Sequence, residues 1–180
     1  MLKCVGFLFN ADECLGCQTC VIACKNENQT PAHVHWRRVT EIAPEVILSV
    51  SCNQCDNPEC FRVCPERAFI KRYDGIVMID SDRCTGCMLC VPACPVHAPQ
   101  FDPKTQKVSK CQMCYQRQDA GIPPACVEAC TTGALKMIDV NLFEDDKTVN
   151  SIPGFPDSQI TKPSIRFYPM QPKKRYFLNN

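Results

Sequence analysis

Cys84-Thr85-Gly86-Cys87-Met88-Leu89-Cys90-Val91-Pro92-Ala93-Cys94-Pro95 spaces its cysteines as C-x2-C-x2-C-x3-C-P, the run by which iron–sulfur clusters are ligated. Three cysteines two residues apart can wrap three sulfurs around one cubane. The fourth, carried onward by a helical turn, points at a neighbouring cluster, so one such run predicts a second. Zinc, the chemical competitor, prefers two C-x2-C knuckles on a longer arm, which supply four ligands and no triplet.

Three further runs surround this one. Cys14, Cys17, Cys20 and Cys24 repeat its spacing, and Gly16 stands before the second cysteine as Gly86 does. A glycine there can take a positive φ and let backbone N–H groups approach the sulfurs. Lys25 replaces the proline. Cys52, Cys55, Cys60 and Cys64, followed by Pro65, carry two extra residues between the second and third cysteines, with Asp56-Asn57-Pro58 as a turn. Cys111, Cys114, Cys126 and Cys130 leave eleven residues between the middle pair, and taken alone that spacing suits a zinc knuckle as well as a cluster run. Context favours the cluster: Ala134-Leu135-Lys136-Met137 follows Cys130 much as Ala68-Phe69-Ile70-Lys71 follows Cys64, as copies would.

The composition agrees with metal cross-linking. Seventeen cysteines among 180 residues need covalent or metal bridges, but disulfide scaffolds spread their cysteines to close long loops. Here they are bunched, and their thiols must stay reduced until cluster insertion, which implies assembly in a reducing cytosol. Sixteen thiolates around four dicationic cubanes would take the formal +1 charge to about −7. Lys and Arg form no stripe, so no nucleic-acid surface is expected. The first ten residues lack a signal peptide's length and cleavage pattern. No eighteen-residue apolar run predicts a direct membrane span.

Between the runs, Leu2–Asn10 reads as a strand with Val5, Phe7 and Phe9 on one face. Residues 34–42 suit a strand or extended arm bearing Trp36, Arg37 and Arg38, with Trp36 read as packing. Residues 45–50 form a short apolar strand. Residues 68–79 alternate around Asp74-Gly75, a hairpin signal. After Phe101 the chain turns through Asp102-Pro103-Lys104 and reaches the fourth run. His33 and His35 are expected to bind no metal, because no cysteine ligand is missing. Beyond Asn141, five prolines punctuate a tail carrying Leu142, Phe143, Ile152, Phe155, Ile160, Ile165, Phe167, Tyr168, Phe177 and Leu178. These are too many apolar groups for a solvated linker. The expectation is an extended arm lying on a partner.

A two-cluster ferredoxin unit pairs two runs about an approximate two-fold axis, each lending its last cysteine to the other. The fold class expected is therefore α+β: two bacterial-ferredoxin-like units related by pseudo-two-fold symmetry, one inserted in the other, plus a C-terminal arm. The outer unit takes residues 1–48 and 104–140, the inner unit 49–103, and the tail 141–180. Crossing the last cysteines gives four [4Fe-4S] ligand sets. They are Cys14, Cys17, Cys20 and Cys130; Cys24, Cys111, Cys114 and Cys126; Cys52, Cys55, Cys60 and Cys94; and Cys64, Cys84, Cys87 and Cys90. Cys4 is left over and reads as a small buried hydrophobe. Full ligation leaves no open iron position, so no residue is given a catalytic role and the clusters only pass electrons. Lys25, Arg62, Arg67, Arg83 and Lys110 could shift individual potentials through local charge and hydrogen bonds, although most of them read as ordinary surface charges.

The order of the four runs, the extra residues of the second and the long gap of the fourth resemble the four-cluster ferredoxin subunits of molybdopterin oxidoreductase complexes, over residues 3–140. That family includes the electron-transfer subunits of dimethyl sulfoxide, polysulfide, thiosulfate, tetrathionate and nitrate reductases and of formate dehydrogenase. Ile160-Thr161-Lys162-Pro163-Ser164-Ile165 also resembles the tail of the dimethyl sulfoxide reductase type. The departure is Thr131, where a proline is expected. The resemblance implies a wire between a large molybdenum or tungsten subunit carrying the pterin and a membrane subunit that handles quinone. It puts the Cys14, Cys17, Cys20 and Cys130 cluster toward the catalytic subunit and the Cys64, Cys84, Cys87 and Cys90 cluster toward the membrane. Such subunits are often exported folded on a partner's twin-arginine signal, which implies an extracytoplasmic, membrane-associated home. A freestanding cytoplasmic polyferredoxin serving a hydrogenase or formate-linked enzyme is the competing reading, and a structural zinc protein is the third.

Overall fold

Residues 4–44, 46–156 and 159–171 are described by a computed structural model. They form a mixed α+β fold of short pieces: β1 (Val5–Asn10), α1 (Thr19–Asn28), β2 (Arg38–Ala43), β3 (Val46–Val50), α2 (Glu59–Arg62), β4 (Phe69–Lys71), β5 (Val77–Ile79), α3 (Cys90–Ala93), β6 (Gln100–Asp102), β7 (Lys107–Ser109), α4 (Tyr115–Asp119), α5 (Ala125–Glu128), β8 (Leu135–Asp139) and β9 (Ile165–Tyr168). None of the helices among the described residues is long and apolar enough to cross a membrane.

The alternation of Val5, Phe7 and Phe9 does make a buried strand face. Leu8, on the opposite face, is also buried, because β1 is the middle strand of three. It pairs antiparallel with β8 and parallel with β9. The antiparallel pairs β2–β3, β4–β5 and β6–β7 complete the strands. The Asp74-Gly75 signal marks the connection between β4 and β5, with Gly75 at φ +85°.

Two stretches carry more structure than their sequence announced. The turn after Phe101 joins two short strands as a hairpin, β6–β7. Asp102 accepts hydrogen bonds from the Lys104 N–H and the Thr105 hydroxyl at 2.9 and 3.0 Å. This local capping lets two three-residue strands reverse within a polar stretch, which gives little apolar periodicity to read. The tail differs more. Much of its described part packs on its own chain: β9 joins β1, Val149 bridges Phe167, and Ile152, Phe155, Ile165 and Phe167 enter the main core, while Leu142 and Ile160 stay exposed. Phe155 and Phe167 meet edge to face with centroids 4.9 Å apart. Burying such a side chain contributes about 1.5–3 kcal/mol, a gain available within the chain itself. A Cβ on Gly6 would stand 2.3 Å from the Ser164 carbonyl oxygen, so the tail's close approach requires glycine in β1. Pro172, Phe177 and Leu178 lie outside the described residues.

Local turns around the cysteines recur. The residue before the second cysteine of each run has positive φ: Gly16, Gln54, Gly86 and Met113. Only two are glycine. Gln54 and Met113 are fully buried, and Gln54 is anchored by donating to the Cys111 carbonyl and accepting from the Val77 N–H. After Cys64, Cys94 and Cys130 the chain makes a tight turn through a positive-φ residue, Arg67, His97 or Gly133. The sulfur then accepts a backbone N–H at 3.4 Å from Ala68, Ala98 or Leu135. The first run departs, with Lys25 in place of proline. There α1 continues through Lys25 to Asn28, ten residues against four in α2, α3 and α5, a path that a proline at that position would not permit. Lys25 Nζ then ties down the carbonyls of Pro31, Ala32 and Val34.

Candidate cluster-binding sites

The fold gathers cysteines from distant runs. Cys14 is raised by burial, with the neighbouring thiols of Cys20, Cys130 and Cys17 pushing the same way and the Gly16 backbone opposing. Burial likewise raises Cys24, helped by Cys111, Cys126 and Cys114 and opposed by Arg37. Cys55 is pushed up to about 12 by burial and by Cys52 and Cys94, while a Thr161 hydrogen bond opposes. Cys60 is raised by burial and then by Cys52, with Cys94 and Cys55 adding to it and Lys110 working against it. Cys90 rises to about 11 through burial, then Cys84, Cys87 and Cys64, against its own backbone N–H.

Two of these groups line cavities. Cys52, Cys55, Cys60 and Cys94 line one of them with Val77, Phe155 and other apolar neighbours. Cys64, Cys84, Cys87 and Cys90 line the other with Ala68, Phe69, Ile79 and Val108. A zinc ion would draw four sulfurs to one point at about 2.3 Å. Among the described residues no three His, Cys, Asp or Glu donors converge on a single metal ion in that way. The thiols instead ring a space, a donor set and shape that fit a cubane. Burial and mutual repulsion oppose their ionisation, so metal insertion must expel protons, with cluster iron supplying the compensating charge. None of the cysteines among the described residues forms a disulfide.

Exposure differs between groups. Cys17 and Cys87 are exposed, whereas Cys24, Cys111, Cys114 and Cys126 are all buried. Cys17 is lowered by hydrogen bonding to Thr19, whose hydroxyl lies 3.3 Å from the sulfur.

Of the charged residues singled out for tuning, Lys110 is buried, and its ammonium hydrogen-bonds the Val77 and Cys111 carbonyls. Arg62 and Arg83 pair with Glu59 and Asp80 at the surface, Arg67 is exposed, and Lys25 serves backbone carbonyls. His33 contacts Asp102 at 3.0 Å, and the His35 N–H donates to Gln100. Trp36 packs beside Cys52, Ala98 and Cys111 and donates to Ser109. Cys4 lies 4.0 Å from the Ser164 hydroxyl. Sequence reasoning assigned no role to Arg37, Ser49, Gln54 or Thr161. Their contacts with the cysteine runs are long-range, and no spacing announces them.

A family model described as a 4Fe-4S dicluster domain matches residues 44–140, and one described as a 4Fe-4S binding domain matches residues 11–27. One chain of the anaerobic dimethyl sulfoxide reductase of Escherichia coli (strain K12) is 36% identical, covering 91% of this protein and 88% of that one. The protein belongs to the iron–sulfur subunits of the dimethyl sulfoxide reductase family. Other members related to it come from the polysulfide reductase of Wolinella succinogenes, one chain of which is 39% identical over 78% of this protein and 79% of that one, and from the tetrathionate reductase of Salmonella typhimurium, one subunit of which is 42% identical over 72% and 55%. As a member of this family the chain is a non-catalytic electron-transfer subunit carrying iron–sulfur clusters.

Proposed function

We propose that the chain relays electrons through four [4Fe-4S] clusters between a large molybdopterin (Mo/W) catalytic subunit and a membrane quinone-reactive subunit. The ligand sets are Cys14, Cys17, Cys20 and Cys130; Cys24, Cys111, Cys114 and Cys126; Cys52, Cys55, Cys60 and Cys94; and Cys64, Cys84, Cys87 and Cys90. One observation carries this reading: Cys14, Cys24, Cys60 and Cys90 each have as thiol neighbours the other three members of one set, three from one run and one from another, while Cys111 and Cys126 also reach Cys52 and Cys20 in adjoining sets. Bound clusters would supply one-electron chemistry at each station. The protein's own part is to exclude water, donate hydrogen bonds to sulfur and offset charge.

The same exchange of cysteines supports an inner unit, 49–103, inserted in an outer one made of 1–48 and 104–140. The catalytic partner is inferred from relatives named as parts of reductases. Their being named as subunits also counts against a freestanding polyferredoxin. Membrane association then comes through partners, on the extracytoplasmic side if the complex is exported folded.

Anaerobic purification tests the reading. About sixteen irons per chain and copurification with a pterin-containing subunit are expected. Far fewer irons, or a chain that always runs as a free monomer, would overturn it.

A further inference from the structure

Among the described residues Arg37 is the largest of the fully buried side chains, 2% exposed. Taking a guanidinium out of water costs several kcal/mol unless opposite charge and hydrogen bonds offset it. Among the described residues no carboxylate forms an ion pair with Arg37. Its oxygen partners are neutral: Nη1 donates to the Ser49 carbonyl and hydroxyl at 3.1 and 2.9 Å, and Nη2 to the Ser51 hydroxyl at 2.9 Å. Nε–H is buried without a hydrogen-bond partner. One face of the group lies 4.6 Å from the Phe7 ring centroid.

The negative charge it lacks would come from sulfur once the thiols are cluster-bound. Burial opposes the Arg37 charge, and the thiols of Cys126, Cys111, Cys20 and Cys24 more than offset that effect. Cys20 belongs to the first group of cysteines, and the other three to the second. Ser49 links the cation to the first group directly, since its hydroxyl also lies 3.3 Å from the Cys20 sulfur. Arginine stays protonated under all physiological conditions, so this is a fixed positive charge walled in between two sets of four thiols.

We propose that Arg37 is a positioning residue for electron transfer, the shared counter-charge that raises the reduction potentials of the first and second clusters. This rests on the ligand sets proposed above. Each electron arriving at a cluster adds one negative charge to a water-poor interior. A fixed cation stabilises that reduced state electrostatically, and no proton has to follow the electron. Low effective dielectric strengthens the effect relative to a surface charge, which separates Arg37 from Arg62 and Arg83.

The test is an EPR-monitored redox titration of the intact complex, with iron and sulfide analysis of each preparation. The parent chain must first show its four clusters; failure there refutes the ligand sets rather than the role of Arg37. Arg37→Gln removes the charge and is expected to move the first and second midpoints to more negative values while leaving the fourth in place. Arg37→Lys keeps the charge but loses the forked geometry, and should restore most of the shift. Selective loss of the first two clusters in the Gln variant, with retention in the Lys variant, would support the same role. Three outcomes overturn it: unchanged midpoints in a fully loaded Gln variant, equal displacement of all four clusters, or equal cluster loss in both variants, which would mark Arg37 as packing alone.

Discussion

In the ligand sets proposed above, the first and fourth groups of cysteines share one pattern of exposure, whereas the second is buried throughout and the third has two buried and two half-buried thiols. In both outer groups the first cysteine of the run is half-buried, the second exposed, the third buried and the borrowed one half-buried: Cys14, Cys17, Cys20 and Cys130, then Cys84, Cys87, Cys90 and Cys64. Each run has a positive-φ glycine before its exposed cysteine and exposed apolar neighbours, Leu15 and Ile22 in one, Met88 and Leu89 in the other. The middle groups replace glycine with the buried anchors Gln54 and Met113; of the buried cations, Arg37 stands between the first and second groups and Lys110 beside Cys60 and Cys94 of the third. The two solutions match two demands on a wire. Its ends must let electrons leave the molecule, and its interior must hold charge where water cannot help.

The largest test of that contrast exchanges a ligand at each kind of site. Cys111→Ser is expected to lose about four irons and to lower the unfolding midpoint markedly, since it disturbs a fully buried group. Cys87→Ser, at an exposed corner, should disturb only the fourth cluster and leave the midpoint closer to the parent's. Iron analysis paired with thermal unfolding reads both, and equal losses would break the distinction.

A middle site can also be made to resemble an end. Phe155 lines the third cavity and packs on Phe167, so Phe155→Ala should cost about 3–5 kcal/mol. The third cluster should then bleach faster in air than the other three, followed by EPR.

A smaller effect comes from the tail. Thr161 hydrogen-bonds the Cys55 thiol and so favours its ionised form. Around it the tail backbone is tied to the same loop, the Asp56 and Asn57 N–H groups donating to the Lys162 and Thr161 carbonyls. Thr161→Val removes a hydrogen bond worth about 0.5–1.5 kcal/mol. It should make the third cluster harder to reduce, with no change at the first.

The smallest concerns the hairpin behind the fourth group, where a Cβ on Gly86 would stand 2.2 Å from the Gln106 carbonyl oxygen. Asp102, which caps this hairpin, is held below the usual carboxylate range by the Lys104 N–H, then Thr105 and His33. A depressed carboxylate contributes stability above its unfolded value and loses it as pH falls through the folded one. Amide exchange at Lys104 and Thr105 should therefore accelerate on acidification through and below the usual carboxylate range in the parent. In Asp102→Asn that acid-dependent increment should vanish.

Much of the cysteine chemistry was readable because it is local. Intervals of two and three residues limit how far apart neighbouring sulfurs can sit, and the β1 and Asp74-Gly75 signals depend on short-range alternation and turn chemistry. The glycine rule was readable only in half the runs. Gln54 and Met113 adopt the same backbone without glycine because buried contacts hold them there. The β6–β7 hairpin was missed because three-residue strands carry too little periodicity. The tail's apolar content was legible, but its partner was not: Phe167 packs against β1, far away in the chain.

From the amino-acid order alone come the chemical class and the bunching of thiols into runs, since these follow from spacing along a chain of known geometry. Tertiary structure alone decided what stands beside the sulfurs. Arg37 next to Cys126, Thr161 next to Cys55 and β9 on β1 are contacts between distant segments. They form because a buried charge needs opposite charge and an apolar strand needs cover, and neither need specifies in advance which part of the chain will meet it.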